Sequence, residues 1–356
     1  MGIKKQIKKI LPYSYIINRY DSSKFINDYV IWKRKQFTDK NVKSLYRTIV
    51  SVQGFGFSGS GAVVDLLREY PSCQVLGGVD DDSVDQTIGH KFDEFDFLRH
   101  SGGFYDIEKH LGHNNIFIND GVINRFVKLV YYSSLYRNFP DCHNAFYYFL
   151  DSITDIEMTN LNARYFNANI FRHDNKSSIF FLKDLSVKDY RGICNRCLNL
   201  IFNSLYEEGK DILVADQMCC DFEFDIERDM QYIDNLKSII IYRDPRDIYS
   251  YAVSHNVEWI AHDNVSLFIN WYKHLLKKFD KNISNSLVVR FEDLILNYDK
   301  TIPLIESYLL LDNHKNKFMN LDPNLSKKNI GIWKESSLPK DDFDSIKKEL
   351  GFLCYN

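Results

Sequence analysis

Between residues 47 and 311 the chain alternates short, nearly continuous apolar runs with stretches whose apolar positions recur every three to four residues. The runs are "RTIVSVQGF" (47–55), "DILVAD" (211–216), "SIIIYRD" (238–244) and "SLVVRFEDL" (286–294), with "CQVLGGV" (73–79) a shorter candidate. Near-continuous apolarity over such lengths predicts strands covered on both faces. The intervals between them leave room for crossover helices, as parallel strands require. After the first run, Val63, Leu66, Leu67 and Tyr70 share one face of a helix. The pattern therefore predicts a three-layer α/β domain over 47–356, preceded by a basic lead-in at 1–46. The stretch 101–210, rich in Phe, Tyr, Asn and Leu, reads mostly as helix and is expected to form a helical insertion on the substrate side. Ligands in such sheets gather at the carboxyl ends of the strands. That rule places the turn at 54–61 and the residues just after 242 along one edge.

Composition narrows the classes. With 45% hydrophobic, 15% aromatic and 26% charged residues, the chain is globular rather than disordered. A net charge of −3 argues against an extended nucleic-acid surface, while leaving room for a local anion pocket. Seven cysteines without a regular framework fit free thiols in a reducing compartment. Cys194-x-x-Cys197 and the adjacent Cys219 and Cys220 lack a second properly spaced pair, so buried thiols rather than a metal site are expected. No apolar run of eighteen residues occurs, which excludes a spanning helix.

The N-terminus, "MGIKKQIKKILPYSYII", sets Lys4, Lys5, Lys8 and Lys9 against Ile3, Ile7, Ile10 and Leu11 at helical spacing, without a signal peptide's apolar core. Two readings stay open: a basic amphipathic helix resting on an anionic membrane surface, and a solvated lead-in ending at Pro12. The expected location is the cytoplasm, with residues 1–20 able to touch the inner face of the membrane.

The turn "GFGFSGSG" (54–61) lies between a strand and a helix and fits three ligands. A Walker loop needs Lys then Ser or Thr after G-x-x-x-x-G. Ser60 and Gly61 stand there instead, so triphosphate hydrolysis is not expected. A dinucleotide fingerprint is satisfied by Gly54, Gly56 and Gly59, with Asp80 about twenty residues on; an NAD(P)-dependent oxidoreductase is the alternative it supports. A phosphate or phosphosulfate loop would use the backbone N–H groups from Phe57 to Gly61, with Ser58 and Ser60 adding hydroxyls.

The last reading requires a second anion site, and "YRDPRDIYS" supplies a candidate. Arg243 ends a strand, Asp244 suits an N-cap, Pro245 suits the first helical turn, and Ser250 follows on the helix. An arginine there can fork onto a phosphate. By itself the same R-D-P also reads as an ion pair stiffening the turn. A third segment, "SKKNIGIWKES" (326–336), adds Lys327, Lys328 and Lys334 around Gly331 and Trp333.

In this order and spacing, the S-G-S-G turn, R-D-P-R-D-x-x-S and K-x-x-x-G-x-W-K resemble the superfamily of sulfotransferases that use PAPS, 3′-phosphoadenosine 5′-phosphosulfate, in its bacterial, carbohydrate-type branch. The segment 287–311 is similar to the strand and helix that precede the last motif in such proteins. The resemblance implies a P-loop-like parallel sheet, PAPS as co-substrate without an obligatory metal, and an acceptor hydroxyl on a saccharide. A non-catalytic binding protein on the same fold is the second alternative. By the same resemblance Phe57, Ser58, Gly59, Ser60 and Gly61 would hold the 5′-phosphosulfate, and Arg243 and Ser250 the 3′-phosphate. Lys327 falls on the lysine of an Arg-Lys-Gly motif and Lys328 on its glycine.

Two further positions depart from the pattern. Phe57 stands where many members carry a basic residue. Ser250 falls seven residues after Arg243 rather than eight, and Tyr251 occupies the eighth. The general base is expected in "DEFDFLRHSGGFYDIEKHL" (93–111), where Glu94 sits among aromatics able to raise its pKa. His90 and His100 are the other candidates, and Asp80, Asp81 and Asp82 read as a solvated acidic turn.

Overall fold

The computed structural model describes residues 23–34, 45–46, 48–76, 94–99, 102–113, 116–158, 179–219, 226–277, 285–312 and 314–355. Strands β1 (Thr48–Gly54) and β2 (Cys73–Leu76) belong to a five-stranded sheet, while β3 (Thr154–Met158) and β4 (Ile179–Leu182) form a separate antiparallel pair. Strands β5 (Ile212–Asp216), β6 (Leu236–Tyr242) and β7 (Ser286–Arg290) complete the sheet in the order β2-β5-β1-β6-β7, every pairing parallel.

The strands bury both faces, and their period of two decides which residue serves which layer. Val50, Val52, Ile212, Val214, Ile239 and Ile241 pack on one side. Ile49, Leu213, Ala215, Leu236 and Ile240 pack on the other. Thus the continuous apolar runs are two alternating sets, one for each helical layer.

Helix α1 (Ser23–Arg34) belongs to the second layer: Phe25 and Tyr29 are fully buried, and Phe25 packs on Tyr136 and Tyr147, each at 5.3 Å between ring centroids. Within the expected lead-in, this helix is therefore integral to the core, while residues 1–22 lie outside the described residues. Helix α2 (Ser60–Arg68) covers the first face with Val63, Val64, Leu66 and Leu67. The expected insertion comprises α3 (Ile116–Tyr132), α4 (His143–Ile153) and α5 (Val187–Leu205), and it also carries the β3–β4 hairpin that the pattern did not predict. On the carboxyl side of the chain, α6 (Pro245–His255) follows β6, and α7 (Phe291–Leu296) and α8 (Tyr298–Leu309) follow β7.

The run 286–294, expected as one strand, turns helical at Phe291. A short apolar run does not by itself separate strand from helix. Glu292 and Asp293 in the first helical turn favour the change through the helix dipole. No helix among the described residues is long and apolar enough to cross a membrane.

Strand order bears on function. Counting only the strands of the main sheet, the order is 2-3-1-4-5, and β5 separates β1 from β2. The dinucleotide-binding order places the second strand beside the first, which is what brings the acid after it to the ribose. Here that acid, Asp80, follows a strand one place removed, and it lies outside the described residues. The carboxyl ends that flank the glycine turn are those of β5 and β6.

Candidate anion-binding site

The turn leaves β1 at Gly54 and enters α2 at Ser60. Gly56 (φ +63°), Phe57 (φ +50°) and Gly59 (φ +101°) all take left-handed backbone, so the chain coils tightly and its N–H groups converge. At Gly59 a Cβ would overlap the Phe291 ring, and at Gly54 it would overlap the Ser58 hydroxyl. Both glycines are therefore required by close approach. Ser58 is buried, and its Oγ accepts the Phe55 N–H at 3.0 Å. That hydroxyl closes the turn from beneath. Ser60 Oγ donates to Asp216 Oδ2 at 3.5 Å, and Gly61 opens on free space.

Among the described residues, the backbone N–H groups from Gly56 to Gly61 donate to no other residue. They stand at the amino end of α2, where the helix dipole is positive. Such a row of uncommitted donors can cradle an anion.

Across the turn, Asp244 caps α6 by accepting the Arg246 N–H at 2.9 Å, with Pro245 in the first helical turn as expected. This fixes the exit of β6 and aims Arg243 at the glycine turn. Arg243 Nη1 donates to the Phe57 carbonyl at 3.2 Å, and Nη2 donates to the Asn329 carbonyl. Its guanidinium lies 5.3 Å from the centroid of Phe291 and 3.7 Å from Asp247. Burial lowers its pKa from the ordinary value, opposed by Asp247, Glu292 and Asp244. Arg243 Nε is buried and has no hydrogen-bond partner among the described residues. A buried donor left so costs about 1–3 kcal/mol, which an anionic acceptor would recover.

Asp247 ties in the third segment. Fully buried, it accepts the Gly331 N–H at 2.8 Å and the Trp333 N–H at 3.1 Å. Burial raises its pKa, opposed by Trp333 N–H, Arg243 and Gly331 N–H. Arg246 is committed elsewhere: it pairs with Asp244 at 2.6 Å, donates to the Tyr355 carbonyl at 2.8 Å and lies 4.1 Å from the Trp333 ring centroid. The three motifs thus meet around Arg243 and Asp247.

The remaining expected residues are placed as follows. Ser250 is buried on α6, and its hydroxyl makes no hydrogen bond among the described residues. Lys327 is exposed, with Nζ 3.3 Å from Asn324 Oδ1, and Lys328 is exposed without an ion pair among the described residues. Glu94 is half-buried just before the short helix Asp96–Arg99, and its neighbours Phe95 and Phe97 sit in the aromatic core. Among the described residues no hydrogen bond or ion pair joins Glu94 to the glycine turn. His90, His100 and Asp80–Asp82 lie outside the described residues. Cys194 and Cys197 are buried on α5, where burial pushes both thiols well up.

The carboxylate that does stand at the turn is Asp216, the last residue of β5. Sequence reasoning passed over it as the tail of "DILVAD". Only the strand order, which puts β5 beside β1, brings it to the site. A cavity of about 440 Å³ elsewhere is lined by Tyr105, Glu108, Lys109, Arg191, Arg228 and neighbours, none of them in the turn.

No family model matches the sequence, and no curated protein does. Among solved structures the chain is similar to the sulfotransferase domain from the Synechococcus PCC 7002 olefin synthase, with 14% identity, 90% of this chain and 99% of that one covered, and a TM-score of 0.40. It is similar to the sulfotransferase domain from the curacin biosynthetic pathway, with 12% identity, 88% and 100% covered, and a TM-score of 0.38. A retinol dehydratase in complex with androsterone and inactive cofactor PAP shares 12% identity over 86% and 81% of the chains, with a TM-score of 0.34. The likeness is one of overall fold and assigns no residue a role.

Proposed function

We propose that the protein is a PAPS-dependent sulfotransferase that moves a sulfuryl group to an acceptor hydroxyl, on a saccharide. The observation that carries this reading is the convergence of two anion-binding elements: the uncommitted N–H groups of Gly56–Gly61, and Arg243 with its unpartnered buried Nε. One phosphate site would suit many ligands. Two sites joined by a single guanidinium suit a nucleotide with anionic groups at both ends. The strand order speaks against the dinucleotide alternative.

The residues divide the work by their chemistry. The N–H groups of Phe57–Gly61 would receive the 5′-phosphosulfate, and Arg243, Ser250, Lys327 and Lys328 the 3′-phosphate. PAPS, when bound, supplies the sulfuryl group. The acceptor hydroxyl must shed its proton as it attacks, so a carboxylate is needed within reach. Asp216, which accepts from Ser60 at 3.5 Å, takes that part in this reading, and Glu94 is the second candidate. Positive dipoles at the start of α2 would balance charge on the sulfonate oxygens, where Phe57 supplies none.

Calorimetric titration with adenosine 3′,5′-bisphosphate, without magnesium and with NAD and ATP as controls, tests the reading. Tight binding of the bisphosphate alone is expected. Preference for NAD, or no binding at all, would overturn it. Asp216→Asn and Glu94→Gln then separate the base candidates. The true base, once changed, loses turnover while bisphosphate affinity stays within about threefold of wild type.

A further inference from the structure

The rim of the glycine turn is aromatic where a charge would be expected. Phe57 is 37% exposed and Trp259 54% exposed, and their rings stack at 5.2 Å with 20° between planes. Tyr251 packs against Phe57 from α6 at 4.5 Å, and His255 stacks on Tyr251 at 4.0 Å and 15°. The arrangement is built into the turn. A Cβ at Gly56 would overlap the Trp259 ring, so the indole lies directly on bare backbone. The segment carrying Trp259 is anchored on both sides. Asn256 caps α6 in left-handed backbone, and Ile260, directly after Trp259, is buried.

We propose that the Phe57–Trp259 pair is the platform on which a neutral saccharide acceptor lays one ring, beside the anion cradle. The proposal rests on the sulfotransferase reading above and adds where the acceptor sits and what class it belongs to. Three observations select a sugar. Since the two rings already stack on each other, they leave an open outer surface rather than a slot for a planar base. A pyranose presents a C–H face that suits such a surface, and the large exposed aromatics need a partner of that kind. The rim offers hydroxyl-binding groups: Asn256, His255 and Glu258 are exposed, and His262 Nε2 lies 3.3 Å from Asn256 Oδ1. Finally, residues 251–264 contain no lysine or arginine but do contain Glu258 and Asp263, which disfavours a uronate or an already sulfated sugar.

The test uses the full chain, with Trp259→Ala and Trp259→Phe, and two readouts. Saturation-transfer NMR measures binding of neutral gluco-, galacto- and N-acetylglucosamine oligosaccharides, with their uronate counterparts and p-nitrophenol as comparisons. Calorimetry measures adenosine 3′,5′-bisphosphate. At least one neutral oligosaccharide is expected to bind the wild type. Trp259→Ala should weaken it tenfold or more, and Trp259→Phe should stay within about threefold. Bisphosphate affinity should remain within twofold in both variants, since Trp259 contributes no charge. Trp259-dependent sugar binding without any bisphosphate binding would sustain the platform and overturn the sulfotransferase reading. The platform itself is overturned if no neutral oligosaccharide binds, or if only p-nitrophenol or the uronates do. It is equally overturned if Trp259→Ala weakens the bisphosphate tenfold, which would make the pair a seat for the base.

Discussion

Phe57 and Tyr251 pack ring against ring, with 4.5 Å between centroids. These are two of the positions at which the chain departs from the motifs it resembles; Ser326 and Lys328, in place of an arginine and a glycine, are others. Phe57 stands where a basic residue is common, Tyr251 where a serine is. These two departures are in direct contact. A serine at 251 would remove the ring that packs on Phe57 and leave Phe57 its stack on Trp259. In the proposed reading, the charge that Phe57 does not supply falls to Arg243 and the N–H groups of the turn.

Phe57→Lys tests that balance. A lysine at the rim of a phosphate cradle adds a charge-assisted contact, so the affinity for adenosine 3′,5′-bisphosphate should rise about tenfold, roughly 1.4 kcal/mol. Loss of the aromatic contacts should lower stability by about 1 kcal/mol, read by urea denaturation. Unchanged affinity would mean that the anion does not reach this end of the turn.

Arg243→Ala removes the guanidinium that joins the Phe57 and Asn329 carbonyls. Bisphosphate binding should weaken by about 2–4 kcal/mol, which is about thirty- to a thousandfold in Kd. The fold suffers too, because Asp247 loses its nearest cation. Arg243→Lys separates the effects: it keeps a charge near Asp247 but loses the fork, so stability should recover more than affinity. Equal affinity for wild type and both variants, measured by calorimetry, would remove Arg243 from the site.

Much of this was legible in the sequence because short rules governed it. The Asp244 cap and Pro245 in the first turn of α6 follow from local chemistry and are found as expected, whereas the expected face of α2 holds for Val63, Leu66 and Leu67 but not for Tyr70, which is buried beyond the helix end at Arg68. The strand after Ser286 ends sooner than the run suggests because "LVVRFEDL" is equally apolar as strand or helix, and the chain turns helical at Phe291. Asp216 was invisible for a different reason. Its place beside Ser60 depends on β5 inserting between β1 and β2, a fact of topology that no local pattern encodes. The aromatic rim was missed likewise, since Trp259 is far from Phe57 in sequence and meets it only over Gly56.

The glycines of the turn should not be equivalent. Gly59 has φ +101°, and a Cβ there would overlap Phe291. Gly59→Ala should cost about 2–4 kcal/mol, from left-handed strain plus overpacking. Gly61 has open space around its missing Cβ and helical backbone, so Gly61→Ala should leave stability unchanged or raise it by about 0.5 kcal/mol. Urea unfolding of the two variants checks both. Similar losses would mean that the turn is not held as tightly against Phe291 as its geometry indicates.

Glu292 beneath the site gives a prediction with a definite sign. It is fully buried, its Oε1 accepts the Asp244 N–H at 2.9 Å, and its Oε2 has no partner among the described residues. Burial raises its pKa above the ordinary 4.5, opposed by the Asp244 N–H, by its own N–H and by Arg290, while the Asp244 carboxylate adds to the rise. The folded chain thus holds this proton to higher pH than the unfolded chain does. Its stabilising contribution is full below about pH 4.5 and is lost as pH rises through the folded value. Glu292→Gln keeps the acceptor for Asp244 and removes the titration. Urea midpoints of the variant and the wild type should therefore lie close together near pH 4. The variant should become the more stable as pH rises toward 7. Asp247, whose pKa burial also raises, titrates in both proteins and cancels from the difference. Parallel curves from pH 4 to 7 would show that Glu292 ionises as freely folded as unfolded, and that the floor of the site is wetter than its burial implies.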